Sequence, residues 1–253
     1  VNLKTTLKSL PVIGPLALSV YRKFVPGPEP YFYERIEWEN HPKEEASLFF
    51  PQITNLLNYT KTSGSSYSAK LFPAGYHTLR LGDEEIKGQR DPRERLKKLN
   101  IDFSGLRVID IGCNQGGVLF AIASDLKWGV GLDFDYRLIN CCTKLSESNQ
   151  TKDKISFYCF NIDKDPHKLI RDFLPDQTAK VDVIFLLAVC MWVEKWKELI
   201  EFCTNLTDCL VFESNGLPDV QDSQIAFLKQ RFSNIRMIDQ DTEGGRRLLV
   251  ARN

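Results

Sequence analysis

The sequence lacks net charge: 33 Lys and Arg are matched by 33 Asp and Glu. No global field draws the chain to nucleic acid, although neutrality is compatible with a local basic face. No apolar run approaches the roughly 20 residues that a membrane span needs. The seven cysteines contain no Cys-x-x-Cys pair, and their spacing offers no zinc pattern. Free thiols in a reducing, cytoplasmic setting are the expected state. Three N-x-S/T sequons, at Asn58, Asn149 and Asn205, carry meaning only in a secreted chain.

What is present is an ordinary globular composition. With 253 residues, 43% hydrophobic and 26% charged, the chain suits one sizeable domain with additions. The opening stretch "VNLKTTLKSLPVIGPLALSVYRKF" is broken by Pro11, Gly14 and Pro15 and flanked by lysine and arginine. It fits neither a cleavable signal nor a span. A short helical pair covering the domain is expected, and weak peripheral contact with an anionic membrane is the alternative. The chain opens on Val1, and residues upstream of it are expected. "VPGPEP" at 25–30 reads as a stiff linker. We therefore divide the chain into an N-terminal segment and linker at 1–30, an extension at 31–100, and a main domain at 101–253.

In the extension, a helical stretch is expected around Lys43 to Leu57. "YHTLRLG" and "IKG" around "DEE" suggest a hairpin at 76–88. Asp91 and Pro92 mark a helix start. After Asp102 the rhythm is regular: "RVIDIG", "GVGLDFD", "ISFYCFNID", "VDVIFLLAV" and "CLVFES" are strands separated by helical patterns. The expected helices are 116–126, 136–148, 166–174, 193–206 and 219–232. This alternation predicts an α/β fold, a mostly parallel sheet with helices on both faces. "IRMIDQD" and "RRLLVARN", joined only by "TEGG", require an antiparallel terminal hairpin.

Ligands of such sheets bind beyond the carboxyl ends of the strands, where strand order switches. "DIGCNQGG" lies at the first strand end. Gly112 allows a sharp turn, and Gly116 or Gly117 allows close approach of backbone to a ligand. Asp133 ends the next strand, where a carboxylate can accept both hydroxyls of a ribose. Asn114 stands where a dinucleotide fingerprint needs its middle glycine. The stretch instead reads D-x-G-x-x-x-G from Asp110 to Gly116.

This pattern resembles the first motif of class I S-adenosylmethionine-dependent methyltransferases. The resemblance runs from about Arg107 to Asn253 and takes in the acidic second-strand end, the polar "FNID" and the terminal hairpin. It implies a Rossmann-like, seven-stranded sheet and S-adenosyl-L-methionine as cofactor. It also implies that Asp110, Gly112, Cys113, Asn114 and Gly116 form the turn under the methionine moiety. Asp133 would hold the ribose, Phe134 would lie beside the adenine, and Asn161 and Ile162 would flank it, although Asp163 could serve in place of Asn161. Leu187 and Ala188 would line the methionine side. Arg90 could pair with the cofactor carboxylate, or with Asp91 or Glu94 at the surface.

The acceptor is not written in the sequence. An oxygen or nitrogen of a small molecule, glycan or lipid-linked compound is expected. "IGCNQG", "GLDFDYRLIN" and "LLAVCMWVEKW" are also similar to methyltransferases of small-RNA terminal phosphates. Against RNA stand "FESNG", where that group is proline- and aromatic-rich, and the neutral charge. The basic stretch at 87–98 reads more simply as a solvated helix face. A non-catalytic, cofactor-binding module of the same fold is a further alternative. His77 and Glu213 are the expected catalytic groups, as bases; packing for His77 and a turn anchored with Asn215 for Glu213 are their plain alternatives. Tyr76 is expected on the face opposite His77. Trp192 and Trp196, read as i and i+4 on a helix, are expected in the core, with an acceptor wall as the alternative.

Overall fold

The computed structural model describes residues 53, 55–60, 72–81, 84–149, 151–176, 180–240 and 245–253. All of them belong to the compact unit Ala46–Asn253. The expectations for the N-terminal segment, its linker and the membrane contact lie outside the described residues.

Eleven strands occur among the described residues. Four are short: β1 (Gly75–His77), β2 (Leu79–Leu81), β3 (Glu84–Ile86) and β4 (Gly88–Arg90). The other seven are β5 (Arg107–Ile111), β6 (Trp128–Asp133), β7 (Ile155–Cys159), β8 (Val183–Leu187), β9 (Cys209–Glu213), β10 (Asn234–Gln240) and β11 (Arg247–Arg252). They form one sheet in the order β10-β11-β9-β8-β5-β6-β7. Only β11 runs against its neighbours, pairing antiparallel with both β9 and β10. From β5 the chain steps to β6 and β7 on one side, then crosses back to β8 and β9 on the other. The switch point thus lies between the ends of β5 and β8.

The strands in the middle of the sheet are near-continuous apolar runs because helices cover both faces. Alternation along each strand divides the core. Ile109, Ile111, Val130, Leu132, Ile184, Leu186, Leu210 and Phe212 pack on one face. There they meet α4 (Trp196–Leu206) and α5 (Pro218–Lys229). Val108, Val183, Phe185 and Val211 face the other way. Their partners are α1 (Pro92–Leu99), α2 (Gly117–Ile122) and α3 (Tyr136–Ser148). Each fully buried aliphatic side chain contributes about 1.5–3 kcal/mol.

Local signals set the helix ends. The Asp91 side chain accepts from the Arg93 N–H at 2.9 Å, Pro92 opens α1, and Asn100 closes it at φ 53°. The Asp135 carboxylate accepts from the Arg137 N–H and starts α3. Two helical expectations were too long. The pattern at 116–126 is helical only through Ile122, and 166–174 is a 3-10 segment at His167–Phe173.

The extension is more unusual than a hairpin. β2 and β3 pair antiparallel, from Leu79↔Ile86 to Leu81↔Glu84. Beyond them the two arms cross, so that β1 and β4 pair in parallel through Gly75↔Gly88 and His77↔Arg90. Gly88 permits the crossing: a Cβ there would lie 2.2 Å from the His77 carbonyl carbon. Leu79, Leu81 and Ile86 join Ile53, Leu56 and Leu57 in a third cluster that packs on Cys141 and Leu145 of α3.

Candidate active site

The turn after β5 hugs the end of β6. The Gly112 and Cys113 N–H groups both donate to the Leu132 carbonyl, at 2.7 and 2.9 Å. Gly112 and Gly116 have φ of 78° and 70°, a region that favours glycine. Asn114 sits there too, at 52°. Open space beside the glycines, expected for a ligand, is instead filled by the chain itself. A Cβ on Gly112 would meet Val189 at 2.5 Å, and one on Gly116 would meet Phe157 at 2.8 Å. The N–H groups of residues 112–116 are all bonded within the chain, to the Leu132 carbonyl, Asp133, the Asn114 Oδ1 and the Cys113 carbonyl. Cys113 points inward, where burial pushes its thiol pKa up.

Asp133 closes β6 beside that turn. Its Oδ2 accepts from the Asn114 N–H and its Oδ1 from the Asp135 N–H, each at 3.0 Å. Burial raises its pKa to about 6, against the lowering by these backbone bonds. The Phe134 N–H bonds the carboxylate as well, and of its roughly four acceptor sites one remains. Phe134 follows with 65% of its surface exposed, a large apolar ring held in the open at the strand end.

Asp110, on β5, points towards the α1 and α2 face. Its Oδ2 is buried with no hydrogen-bond partner. Burial first, and then the charge of Asp133, raise its pKa to about 7, with Arg95 opposing. His77 lies on the same face, 4% exposed. Its ring sits on Gly117, where an added Cβ would lie 2.6 Å from the His77 Cβ. Its Nδ1 is buried without a partner, and burial, Arg95 and Arg90 lower its pKa to about 3. His77 is therefore neutral at pH 7 and a weak base. Tyr76 is not on the opposite face, because the two rings are 4.7 Å apart. The crossing at residue 78 breaks the strand alternation on which that expectation rested.

Glu213, at the end of β9, is also engaged. Its buried carboxylate binds Arg95 of α1 at 2.8 Å and Arg246 at 3.3 Å, and Arg246 also donates to the Tyr76 hydroxyl at 3.2 Å. Each carboxylate oxygen is taken by one guanidinium, Oε2 by Arg95 and Oε1 by Arg246. The expected turn contact is made by Asn215 alone. Asn215 donates to the Ala188 carbonyl at 2.6 Å and accepts from the Met191 N–H at 3.0 Å. Ala188 is thereby held at φ 57°, a strained value for a residue with a Cβ. Asn114 and Ala188 bracket the switch point, each in left-handed backbone.

The remaining expectations are placed as follows. Arg90 ends β4, near enough for its charge to act on His77. Asn161 turns its side-chain oxygen into its own loop, accepting from the Asp163 and Lys164 N–H groups. Asp163 accepts from the Glu194 and Lys195 N–H groups. The Asn161 carboxamide oxygen and the Asp163 Oδ1 are thus engaged within the chain. Ile162 packs in the core, and Leu187 is half-buried. Trp192 and Trp196 do not share a helix, since Trp192 ends a 3-10 turn and Trp196 begins α4. Trp196 packs edge-on against Phe227. Trp192 is 36% exposed, against the expectation of core. In the basic stretch, Lys97 pairs with Glu94 and Lys98 with Asp239.

Three site residues escaped the sequence reading: Gln115, Arg95 and Arg246. Gln115 stood inside the glycine turn and could have been weighed. Nothing local marks the two arginines, which are brought to Glu213 from distant elements. Among the described residues no cluster of His, Cys, Asp and Glu could hold a metal, and no helix is long and apolar enough to cross a membrane. All seven cysteines are free, and only Cys159 is exposed.

No model of a known family and no curated protein matches this sequence. Solved structures do match it. The bifunctional kinase-methyltransferase WbdD superposes with a TM-score of 0.51 at 22% identity, covering 66% of this chain and 41% of WbdD. This chain thus spans less than half of that protein. The N-terminal domain of EvdMO1, crystallised in the presence of SAH (S-adenosylhomocysteine) and D-fucose, gives 0.58 at 10% identity over 82% of this chain and 97% of that domain. The same domain with SAH bound gives 0.52 at 12% identity. At such identities the likeness shows the fold, a Rossmann-like, mostly parallel seven-stranded sheet.

Proposed function

We propose that this chain is an S-adenosylmethionine-dependent methyltransferase that modifies an oxygen or nitrogen of a small molecule, glycan or lipid-linked acceptor. The observation that carries the reading is Asp133. A buried carboxylate with an acceptor site to spare stands at the end of β6, beside the turn after β5 and under an exposed Phe134. These groups fit the cofactor. Asp133 would take a ribose hydroxyl, Phe134 the adenine face, and the turn at 112–116 the methionine part, with Arg90 for its carboxylate. The solved neighbour with SAH bound supports the same reading, and seven free thiols suit a cytoplasmic setting.

When bound, the cofactor supplies a methyl group already activated on a sulfonium. The chain aligns and desolvates. The glycine turn and Asp133 hold one side of the switch point, over β5 and β6. The other side, over β8 and β9, we assign to the acceptor, beside Tyr76 and Arg246 where they meet Glu213. His77 is held neutral against Gly117, and Glu213 is committed to two arginines. We therefore assign both to shaping the site rather than to moving a proton.

Titration calorimetry tests the reading. S-adenosylhomocysteine is expected to bind with micromolar affinity and NAD not at all. NAD binding without S-adenosylhomocysteine binding overturns it. Isotope transfer from labelled S-adenosylmethionine into a fractionated acceptor pool would then identify the acceptor.

A further inference from the structure

Gln115 is the one side chain of the glycine turn that reaches away from the sheet. It is buried, and both ends of its amide are used by the N-terminal extension. Its Oε1 accepts from the Tyr76 and His77 N–H groups at 3.1 and 3.3 Å. Its Nε2 donates to the Ala74 carbonyl at 2.7 Å and to the Thr60 hydroxyl oxygen at 3.2 Å. Gly75 lies flat on the amide, where a Cβ would come within 3.0 Å of Nε2. One residue thus fastens β1 and the helical residues 55–60 to the turn.

The other side of Gln115 leads to Asp133. The Gln115 N–H donates to the Asn114 Oδ1 at 2.9 Å, and the Asn114 N–H donates to Asp133 Oδ2 at 3.0 Å. The connection Asp133–Asn114–Gln115 is held by two hydrogen bonds and passes through a residue in left-handed backbone. Beyond β1 it continues to the acceptor side, because the Tyr76 hydroxyl accepts from Arg246, which also holds Glu213. Buried amide groups of this kind are strongly specifying, since breaking one bond leaves several partners unsatisfied.

The geometry points to Gln115 as a positioning residue that couples the cofactor turn to the extension, so that the acceptor side is assembled over an occupied turn. It rests on the cofactor reading above. Ligand contact at Asp133 stiffens Asn114 and Gln115, and Gln115 then holds Tyr76 in place. The consequence is reciprocal coupling: an occupied cofactor turn favours the assembled acceptor side, and the assembled acceptor side favours an occupied turn.

Amide hydrogen exchange on the full chain, with and without saturating S-adenosylhomocysteine, tests this. In the natural protein the ligand is expected to slow exchange at Tyr76 and His77 at least tenfold. In Gln115→Met that slowing disappears at equal saturation, while slowing at Asn114 and Asp135, which bond to Asp133 directly, persists. A merely structural residue would lower the melting temperature and leave the ligand-dependent difference at Tyr76 and His77 intact, and that result overturns the inference. Thr60→Val removes one of the Gln115 bonds, together with the hydroxyl's own bond to the Leu57 carbonyl, and leaves the turn untouched. It is expected to reduce the slowing two- to threefold, and it keeps the question answerable if Gln115→Met does not fold. Slowing that stays at the natural level in Thr60→Val overturns the inference in that case. If the natural protein binds S-adenosylhomocysteine without slowing at Tyr76 and His77, the inference falls and the cofactor reading stands. If it does not bind at all, both fall.

Discussion

Asp133 and Asp110 are both buried carboxyls, yet the first has three backbone N–H donors and the second has an oxygen with none. Asp133→Ala is expected to weaken S-adenosylhomocysteine binding by about 1.5–3 kcal/mol, the worth of hydrogen bonds to a charged acceptor. Calorimetry on a variant of unchanged melting temperature checks it. Asp110 predicts a pH effect on the unliganded protein. Its folded pKa, about 7, lies above its ordinary value of 3.8, so the folded state holds the proton longer and its contribution falls as pH rises from about 4 to 7. His77 does the opposite. Its folded pKa of about 3 lies below 6.5, so stability rises with pH across that window and is lost as pH falls through it. Asp133, with a folded pKa of about 6, adds a second fall between about pH 4 and 6. Relative to the natural protein, Asp110→Asn should tilt the profile towards a rise with pH and His77→Gln towards a steeper fall, each measurable by denaturation at a series of pH values. Parallel profiles for the two variants would refute the assignment.

At the scale of elements, α1 is tied to the sheet by a charge rather than by its modest apolar face. Arg95 reaches Glu213 where both are largely buried. Removing one partner of such a pair leaves the other uncompensated and costs about 3–5 kcal/mol. Arg246 still holds Glu213 when Arg95 is removed, so Arg95→Ala is expected to destabilise the fold by less than that full amount in urea denaturation, yet clearly more than Lys97→Ala, whose pair with Glu94 is exposed. β1 and α2 meet differently, by steric fit. Gly117 has no room for a methyl group because the His77 side chain, Cβ included, occupies it. Gly117→Ala should destabilise by about 1–3 kcal/mol, and much of that loss should be recovered in a His77→Gly background, which also removes the Cβ that the new methyl would meet. A double-mutant cycle with no coupling would show that the two do not touch in solution.

For the whole molecule, occupancy of the switch point is a stability measurement. A ligand that binds only the folded chain raises its stability by about 2.7 kcal/mol at a hundred times its Kd. S-adenosylhomocysteine at that excess should raise the melting temperature by several degrees, and NAD at the same concentration should not. The shift should shrink in Asp133→Ala. The sheet itself explains why the effect is global: β5, β6 and β8, which carry the site, are its buried middle strands, so a ligand there opposes unfolding of the whole core.

Much of this was already legible in the one-dimensional pattern. Five buried apolar runs separated by helical spacing specify a parallel sheet, because only covered strands can be apolar on both faces. "TEGG" was too short for a crossover, and so dictated the antiparallel end. The turn at Gly112 to Gly116 and the carboxylate at Asp133 were equally plain, since backbone conformation and strand ends are local matters. Proton-transfer roles for His77 and Glu213 were not decidable that way. Whether a histidine is a base depends on its solvation and neighbours, and those came from Gly117, Arg95 and Arg90, far away along the chain. The same holds for Glu213, whose two arginines come from α1 and from the residue before β11, and for Gln115, whose four partners lie 38 to 55 positions upstream. Periodicity records which side of a strand is buried. Only the packed chain decides what each buried polar group finds there, because desolvation and charge pairing depend on distance in space.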